Sequence, residues 1–442
     1  MNKKQDPSIP TPTAAFQPTP EDQRISSVDV IRGVALFGIL LMNITGMGLP
    51  EQAYSDPSVA GGATGWDLKA WITTNMLFEG TMRGMFSMLF GAGVILFTSK
   101  KETMGIGLPV ADSWYRRTIW LFVFGLVHAY ILLWPGEILY AYGLMGMFLF
   151  PFRHMAPKNL FAIGLGLLLA GSVWGFFEIR NSEDTYAKAQ TAQAAIDRGE
   201  KPSKDLQTSL DDWNEKLKHA KPSAEDLAEV TSKQQGGYFE AMKVRAAETF
   251  HWQSEGHYRY DYFDVLGMML LGMALLGWRI FQAERSFRFY GLMVLVGYAV
   301  GLSVNWYETS TILNNNFDLM ATQKTYLTYD LGRLFTTAGH IGLIMLFCKS
   351  GALRFLQRAL AAVGRMALTN YIMHTVITTT VFVLFAQFGK WQRHELYYLV
   401  FGIWALQLVL SPLWLRYFYF GPVEWGWRAL TYLKKPPFLK NN

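Results

Sequence analysis

The sequence contains a single cysteine, Cys348, among its 442 residues. One cysteine excludes an intramolecular disulfide framework and any metal site built from several thiolates. The chain also lacks the common motifs of soluble enzymes, since it has no G-x-S-x-G elbow, no P-loop, no dinucleotide-binding fingerprint and no H-E-x-x-H. Any chemistry therefore has to come from polar side chains that lie on helices.

Charged residues are scarce at 17%, whereas 51% of the residues are hydrophobic and 15% are aromatic. Runs such as "IWLFVFGLVHAYILLW" are about long enough to cross a bilayer, which takes on the order of 20 apolar residues. We predict an all-α polytopic membrane protein of about ten transmembrane helices. The helices are expected near residues 28–48, 68–98, 115–134, 136–152, 158–178, 260–281, 286–306, 328–348, 366–389 and 396–417.

The second predicted helix contains two charged residues, Glu79 and Arg83. The segment is either one full span with a buried ion pair or a re-entrant element with a break. Its motif "LFGAGV" lies in apolar surroundings, where glycines favour close helix packing.

The net charge of +6 does not indicate a nucleic-acid partner, because lysine and arginine lie beside the hydrophobic segments and form no basic stripe. They concentrate at every second connection between helices, the pattern of cytoplasmic loops. We therefore expect a multi-pass protein of the bacterial inner membrane, in contact with lipids, with both termini in the cytoplasm. Lys390 and Arg393 depart weakly from the alternation.

The predicted organisation has two transmembrane bundles of about five helices each, residues 24–180 and 260–435. The polar insert between them, 181–259, has helical composition and is expected to be a small periplasmic cap. The proline-rich segment 1–23 is expected to be a disordered cytoplasmic tail, and 436–442 a second cytoplasmic tail. The sequence is compatible with a monomer or a homo-oligomer.

Ionisable side chains are costly inside a membrane, so they tend to face partners, water or a functional site. Asp29 and Arg32 are three residues apart on the first helix and can pair. One interpretation is that this pair only fixes helix packing. The other is that Arg24 or Arg32 contacts a phosphate-bearing donor at the inner face. Asn43 lies further along the same helix, in its outer half.

His128 lies about two thirds of the way along the third predicted helix, and Glu137 follows after a short turn. A carboxylate can orient an imidazole for acid–base chemistry, so the two residues form a candidate catalytic pair. The alternative is a histidine that is simply hydrogen-bonded in the protein core.

The later helices carry further polar residues. Arg333 can pair with Asp330, and His340 is expected near the middle of its helix. Asn370 and His374 share one helix face, but they lack carboxylate or thiolate neighbours, so we expect no metal there. After the last predicted span, "FGPVEWGWRALTYLKK" is typical of an interfacial anchor, with Glu424 able to pair with Arg428.

Five segments resemble the YeiB family of bacterial polytopic membrane proteins: "SVDVIRGVALFGILLMNI", "MFSMLFGAGV", "RRTIWLFVFGLVHAYILLWPGEILYAYGLMG", "GRMALTNYIMHT" and "GPVEWGWRALTY". The resemblance covers about residues 24–435, apart from most of the insert. That family is similar in turn to membrane acyltransferases of the heparan-glucosaminide acetyltransferase type, whose opening motif is matched by Asp29, Arg32, Gly33 and Asn43.

The resemblance implies transfer of an acyl group from a cytoplasmic acyl-CoA donor to a small-molecule or lipid-linked acceptor at the outer leaflet. The donor would bind near Arg24, Asp29, Arg32, Arg116 and Arg117. Those acyltransferases have a histidine after the asparagine, which "MNITGMGLPEQAYS" lacks, so His128 with Glu137 becomes the substitute base and Asn43 positions the acceptor or oxyanion. Six further residues are expected to contact the substrate or support the site: Glu79, Arg83, Arg333, His340, Asn370 and His374.

Two other functions fit the same residues. A transporter would use the charges for substrate or proton coupling, although no convincing inverted repeat is visible. A structural membrane protein would use them only to hold helices together.

Overall fold

The computed structural model describes residues 25–102, 108–256 and 262–440. Arg24, the predicted tail 1–23 and the last two residues lie outside the described residues. The described chain is helical and has no named β-strand, which confirms the all-α prediction. The helices are α1 (Ser26–Gly48), α2 (Gly65–Leu77), α3 (Thr81–Glu102), α4 (Leu108–Tyr130), α5 (Leu139–Leu149), α6 (Pro157–Asp197), α7 (Lys204–Ala220), α8 (Ala224–Gln235), α9 (Tyr238–His251), α10 (Asp264–Gly277), α11 (Phe287–Asn314), α12 (Leu319–Ser350), α13 (Arg354–Arg365), α14 (Ala367–Thr379), α15 (Arg393–Tyr417) and α16 (Pro422–Tyr432).

Within the described residues, seven helical stretches are long and apolar enough to cross a membrane. They are α1, the α2–α3 stretch, α6, α11, α12, α14 with the π-helical turn that follows it, and α15. The other three predicted spans correspond to α4, α5 and α10, of which α5 and α10 are short. The protein is therefore an all-α multi-pass membrane protein, and each predicted span corresponds to a helix or to two consecutive helical segments.

The second predicted span is broken between α2 and α3. Gly80 adopts a left-handed backbone conformation with φ of 64°, which glycine tolerates because it has no Cβ. The break lies between the two charged residues, and Arg83 pairs with Asp264 of α10. Of the two alternatives for this segment, the structure therefore has the break and not the Glu79–Arg83 ion pair. Glu79 instead accepts hydrogen bonds from Tyr54 and Tyr329.

Glycines bring α3 and α10 into close contact. A Cβ added to Gly91 would overlap the backbone of Met269, and one added to Gly272 would overlap the backbone of Met88. In each helix a glycine thus packs directly against the backbone of the other helix, as in close helix pairs within membranes. Gly91 belongs to the "LFGAGV" motif, so the predicted packing role of that motif is confirmed.

Gly272→Ala is expected to lower the free energy of unfolding by about 1–3 kcal/mol, because the added methyl group must push the two helices apart. Gly175→Ala on α6 is the matched control, since a Cβ there would have no neighbour within 4 Å. Thermal unfolding of the detergent-purified protein measures both. Equal midpoints for the two variants would contradict the close crossing.

The insert forms a cap, defined here as α7 to α9, on one end of the helical bundle. Its Arg245 is buried and donates hydrogen bonds to the carbonyl oxygens of Leu133 (2.7 Å) and Met47 (3.3 Å), at the ends of the α4–α5 turn and of α1. The cap is joined to α6, which continues without a break from the bundle through residue 181 to Asp197. We call the covered end the cap end.

Both described chain ends lie at the opposite end, which we call the terminal end. There α1 begins, and Trp427 of α16 donates a hydrogen bond to the carbonyl oxygen of Arg117 near the start of α4. Arg393, which departed from the charge alternation, lies towards the cap end. It is 2% exposed and donates hydrogen bonds to Thr45 and to the Ala53 carbonyl oxygen, so it serves packing.

Candidate functional site

His128 and Glu137 lie side by side in the interior of the protein. His128 is 0% exposed and Glu137 is 2% exposed. The His128 Nδ1 atom is 3.9 Å from Glu137 Oε2, and its Nε2 atom is 2.7 Å from the hydroxyl oxygen of Thr375 on α14. The predicted proximity of His128 and Glu137 is confirmed, and Thr375 is a further partner that the sequence did not indicate.

Glu137 is fixed in place by the start of α5. Its carboxylate accepts hydrogen bonds from the backbone N–H groups of Leu139 (2.6 Å) and Tyr140 (3.0 Å). A negative charge is favoured at this position because the N-terminus of a helix carries a partial positive charge. The charge of Glu137 is thus held next to His128, where it can stabilise a protonated imidazole.

Asn370 and His374 extend this polar region along α14, and both are buried. The His374 Nε2 atom is 3.1 Å from the side-chain oxygen of Gln407 on α15, and Gln407 donates to the carbonyl oxygen of Asn370. Asn370 also donates to Ser411. Gln407 and Ser411 were missed by the sequence reasoning, although two polar residues four positions apart in an apolar helix are a usable signal.

The buried polar cluster is defined here as His128, Glu137, Tyr371, His374, Thr375 and Gln407. Tyr371 joins its two histidines: its ring meets that of His128 edge-on, with centroids 4.9 Å apart, and that of His374 at 6.4 Å. Among the described residues, no three metal-ligating side chains are grouped as a metal site requires. The imidazole, carboxyl and hydroxyl groups of the cluster are types that can donate or accept protons.

Asn43 is not joined to this cluster. It is partly exposed and has no hydrogen-bond partner within the described ranges. Gly46, one turn further along α1, faces Trp134 of the α4–α5 turn. The structure therefore leaves Asn43 on the side of α1 that faces this turn, outside hydrogen-bonding contact with His128.

The arginines predicted to bind a donor lie at the terminal end. Arg32 pairs with Asp29 at 2.9 Å, which confirms that prediction, and Arg116 pairs with Asp112 at 2.6 Å. The Arg117 guanidinium lies 3.6 Å from the centroid of the Trp427 ring. Arg32 and Arg428 are close enough to repel the charge of Arg117, so we call Arg32, Arg117 and Arg428 the basic cluster.

The expected Glu424–Arg428 pair is wrong. Glu424 accepts hydrogen bonds from the backbone N–H groups of Leu368 (2.7 Å) and Thr369 (3.0 Å) and from the Thr369 hydroxyl. Burial raises the pKa of the Glu424 carboxyl. Arg428 instead lies over the ring of Phe420. The donors to Glu424 come from α14, and the spacing of residues within α16 could not reveal that contact.

The remaining predicted residues form a second polar region towards the cap end. Asp264 pairs with both Arg83 and Arg333, each at 2.6 Å. Arg333 also pairs with Asp330 at 2.5 Å, as predicted. His340 lies at the break between α2 and α3, with its Nε2 atom 2.7 Å from the carbonyl oxygen of Leu77.

Comparison with known proteins finds relatives that align with nearly the full length of this chain. The chain is 31% identical over 417 residues to "Uncharacterized protein YeiB" of Escherichia coli (strain K12), and the alignment covers 92% of this chain and 96% of the relative. The chain belongs to the YeiB family. A second relative, "Uncharacterized protein YxaH" of Bacillus subtilis (strain 168), is 29% identical over 97% of this chain and 99% of its own.

A third member of this YeiB-like group is the "Uncharacterized 39.9 kDa protein in amylase 3'region" of Bacillus acidopullulyticus. It is 26% identical over 96% of this chain and 98% of its own. The family model "Protein of unknown function (DUF418)" matches residues 275–434, from the end of α10 to just beyond α16. No solved structure matches the chain significantly.

Proposed function

We propose that this protein is a membrane-embedded acyltransferase of the bacterial inner membrane, with both termini in the cytoplasm and the cap outside. It takes an acyl group from an acyl-CoA-type donor at the terminal end and passes it to an acceptor that enters from the cap end. The observation that carries the proposal is that α4 holds Arg117 of the basic cluster near its start and His128 of the buried polar cluster near its end. Their separation of eleven positions corresponds to about 16 Å of α-helix.

The donor would be held by its phosphate groups. Arginine suits phosphate because its planar guanidinium can donate two parallel hydrogen bonds. The Arg32 side chain is 27% exposed, so it can reach a ligand while Asp29 keeps it oriented. Arg116 lies one residue from the basic cluster, and Arg24 lies outside the described residues.

His128 would act as the general base. The Thr375 hydroxyl, 2.7 Å from His128 Nε2, occupies the position that an acceptor hydroxyl or amine would take. Nε2 would remove the proton from the acceptor, the acceptor atom would bond to the thioester carbonyl carbon, and the carbon–sulfur bond would break. The proton on the imidazolium would then pass to the departing thiolate. Glu137 would stabilise the imidazolium from the Nδ1 side.

A structural role is the competing function, and the complete burial of His128 favours it. Acyl transfer requires α4 and α14 to part enough to exchange Thr375 for the acceptor. A structural cluster would stay closed, so the two functions differ in whether a donor binds and is consumed.

Arg32→Ala is expected to weaken the binding of acetyl-CoA about 10- to 100-fold. The reason is that a hydrogen bond to a charged group contributes about 1.5–3 kcal/mol, and each 1.4 kcal/mol changes affinity about tenfold. Isothermal titration calorimetry of the detergent-purified protein measures the effect. Arg288→Ala is the control, because Arg288 is an exposed arginine at the start of α11, near the same end of the bundle. Equal affinities for the two variants would remove Arg32 from the donor site.

A further inference from the structure

A cavity opens between the α2–α3 break and helices α11 and α12. It has a volume of about 70 Å³ and lies towards the cap end. Exposed residues Tyr54, Ser55 and Tyr326 belong to its lining, so it reaches solvent on that side. The buried polar cluster contributes no residue to this lining, and the acyl-transfer proposal does not use the cavity.

Two carboxyl groups, those of Glu79 and Glu308, line the cavity. Glu79 accepts hydrogen bonds from the hydroxyl groups of Tyr54 (2.6 Å) and Tyr329 (3.3 Å), and Glu308 accepts one from Thr328 (2.6 Å). An ionised carboxylate offers about four lone-pair sites, so both groups can accept further hydrogen bonds from a ligand.

The other charges around the cavity balance one another. Arg83 and Arg333 pair with Asp264, and Asp330 pairs with Arg333. Two arginines thus meet two aspartates, and among the described residues no lysine or arginine forms a salt bridge with Glu79 or Glu308. The adjoining cation Arg393 is directed to other partners, Thr45 and the Ala53 carbonyl oxygen. A ligand with a positive charge is therefore favoured.

Aromatic side chains line the same space. Tyr54, Trp71, Tyr326 and Tyr329 all contribute to the wall. Aromatic faces attract organic cations, most strongly when the cation is removed from water. Aromatic rings beside carboxylates are a combination suited to an organic ammonium group.

A buried donor also faces this space. Arg333 is part of the lining and is only 2% exposed, and its Nε–H group has no hydrogen-bond partner among the described residues. Buried donors without a partner are rare, since the loss of such a hydrogen bond costs about 1–3 kcal/mol. An oxygen atom of a ligand would satisfy it.

From these observations we infer that the cavity binds a ligand that carries a primary ammonium group beside hydroxyl groups. The ammonium group lies between Glu79 and Glu308 against the tyrosine rings, and a ligand oxygen accepts from Arg333 Nε. Such a ligand is either a small free amino alcohol or a lipid headgroup with an ammonium group. The inference does not depend on acyl transfer.

The test compares 2-aminoethanol with ethylene glycol, two small probes that differ by one ammonium group in place of one hydroxyl. Binding to the full-length protein in detergent is measured by calorimetry and by saturation-transfer NMR. We expect the amine to bind at least about tenfold more tightly than ethylene glycol, since hydrogen bonds to charged groups are the stronger ones. Equal binding of the two probes, or binding of neither, would overturn the inference.

Variants then locate the binding. Glu308→Gln and Glu79→Gln are each expected to weaken amine binding about tenfold or more, whereas Glu225→Gln, an exposed glutamate of the cap, leaves it unchanged. Glutamine keeps the size and hydrogen-bonding capacity of glutamate, and an unchanged unfolding midpoint shows that the fold is intact. If both cavity variants bind the amine as the unmodified protein does, the site is elsewhere and the inference fails.

The source of the ligand follows from repeating the titration in nanodiscs. If a lipid headgroup occupies the cavity, phosphatidylethanolamine discs weaken amine binding by competition relative to phosphatidylglycerol discs. If the ligand is a free amino alcohol, the affinity is the same in both lipids. Failure of acetyl-CoA binding would leave each of these results unaffected.

Discussion

His128→Ala is expected to lower the rate of acyl transfer about 10²- to 10⁴-fold, the usual contribution of a general base. The imidazole lies between Glu137 and Thr375, with its Nδ1 atom 3.9 Å from the Glu137 carboxyl oxygen and its Nε2 atom 2.7 Å from the Thr375 hydroxyl oxygen. Proteoliposomes supplied with radiolabelled acetyl-CoA measure the reaction as label transferred into the lipid and the water-soluble fractions. No other variant proposed for the transferase should reduce the rate as strongly.

A fully buried histidine also supports the fold, so the alanine variant needs two companions. His128→Gln keeps a hydrogen-bonding side chain of similar length, and we expect it to lose transfer while its unfolding midpoint stays close to that of the unmodified protein. His219→Ala is the matched control, because His219 is exposed on α7 of the cap. Label transfer that persists in His128→Gln would assign His128 a structural role only.

The fold could be predicted largely from the sequence because the bilayer imposes a length on apolar segments. The apolar runs predicted the position of each span. The prediction was least accurate where a helix continues beyond its apolar residues. Helix α6 continues to Asp197, beyond the predicted end of its apolar run near residue 178. A helix needs only its own backbone hydrogen bonds and suitable side chains to continue into solvent, so the loss of hydropathy does not end it.

The site could be predicted only where its partners lie close in sequence. Asp29–Arg32 and Asp330–Arg333 are three residues apart on one helix, and both pairs are present. For Glu79 and Arg83 the sequence left an ion pair and a break as alternatives, and Gly80 interrupts the helix between them. Local spacing is informative only inside an unbroken helix.

Long-range partners had no sequence signal of this kind. Asp264 comes to Arg83 from α10, and Thr375 comes to His128 from α14. These contacts depend on which helices pack together, and glycine positions such as Gly91 and Gly272 decide part of that packing. Sequence reasoning therefore indicated which side chains are costly to bury, and the structure was needed to show what each of them meets.

Arg333→Ala is expected to lower the free energy of unfolding by about 3–5 kcal/mol, the second large effect. Removing one partner of a buried ion pair leaves the other charge without compensation. Arg333 is 2% exposed, and its side chain is shared between Asp264 and Asp330. Its removal leaves Asp264 with Arg83 and leaves Asp330 with the hydrogen bond from the Ser172 hydroxyl. Thermal and denaturant unfolding in detergent measure the loss.

Arg198→Ala is the matched control for that experiment. Arg198 also forms an ion pair, with Glu200 at 2.9 Å, but both side chains are more than half exposed. Surface pairs of this kind contribute about 0–1 kcal/mol because water and salt screen them. The double variant Arg333→Met with Asp264→Asn tests the cause, since it removes a positive and a negative charge together and should recover part of the loss. If Arg333→Ala destabilises the protein no more than Arg198→Ala does, the Asp264–Arg333 pair is not what holds α10 to α12.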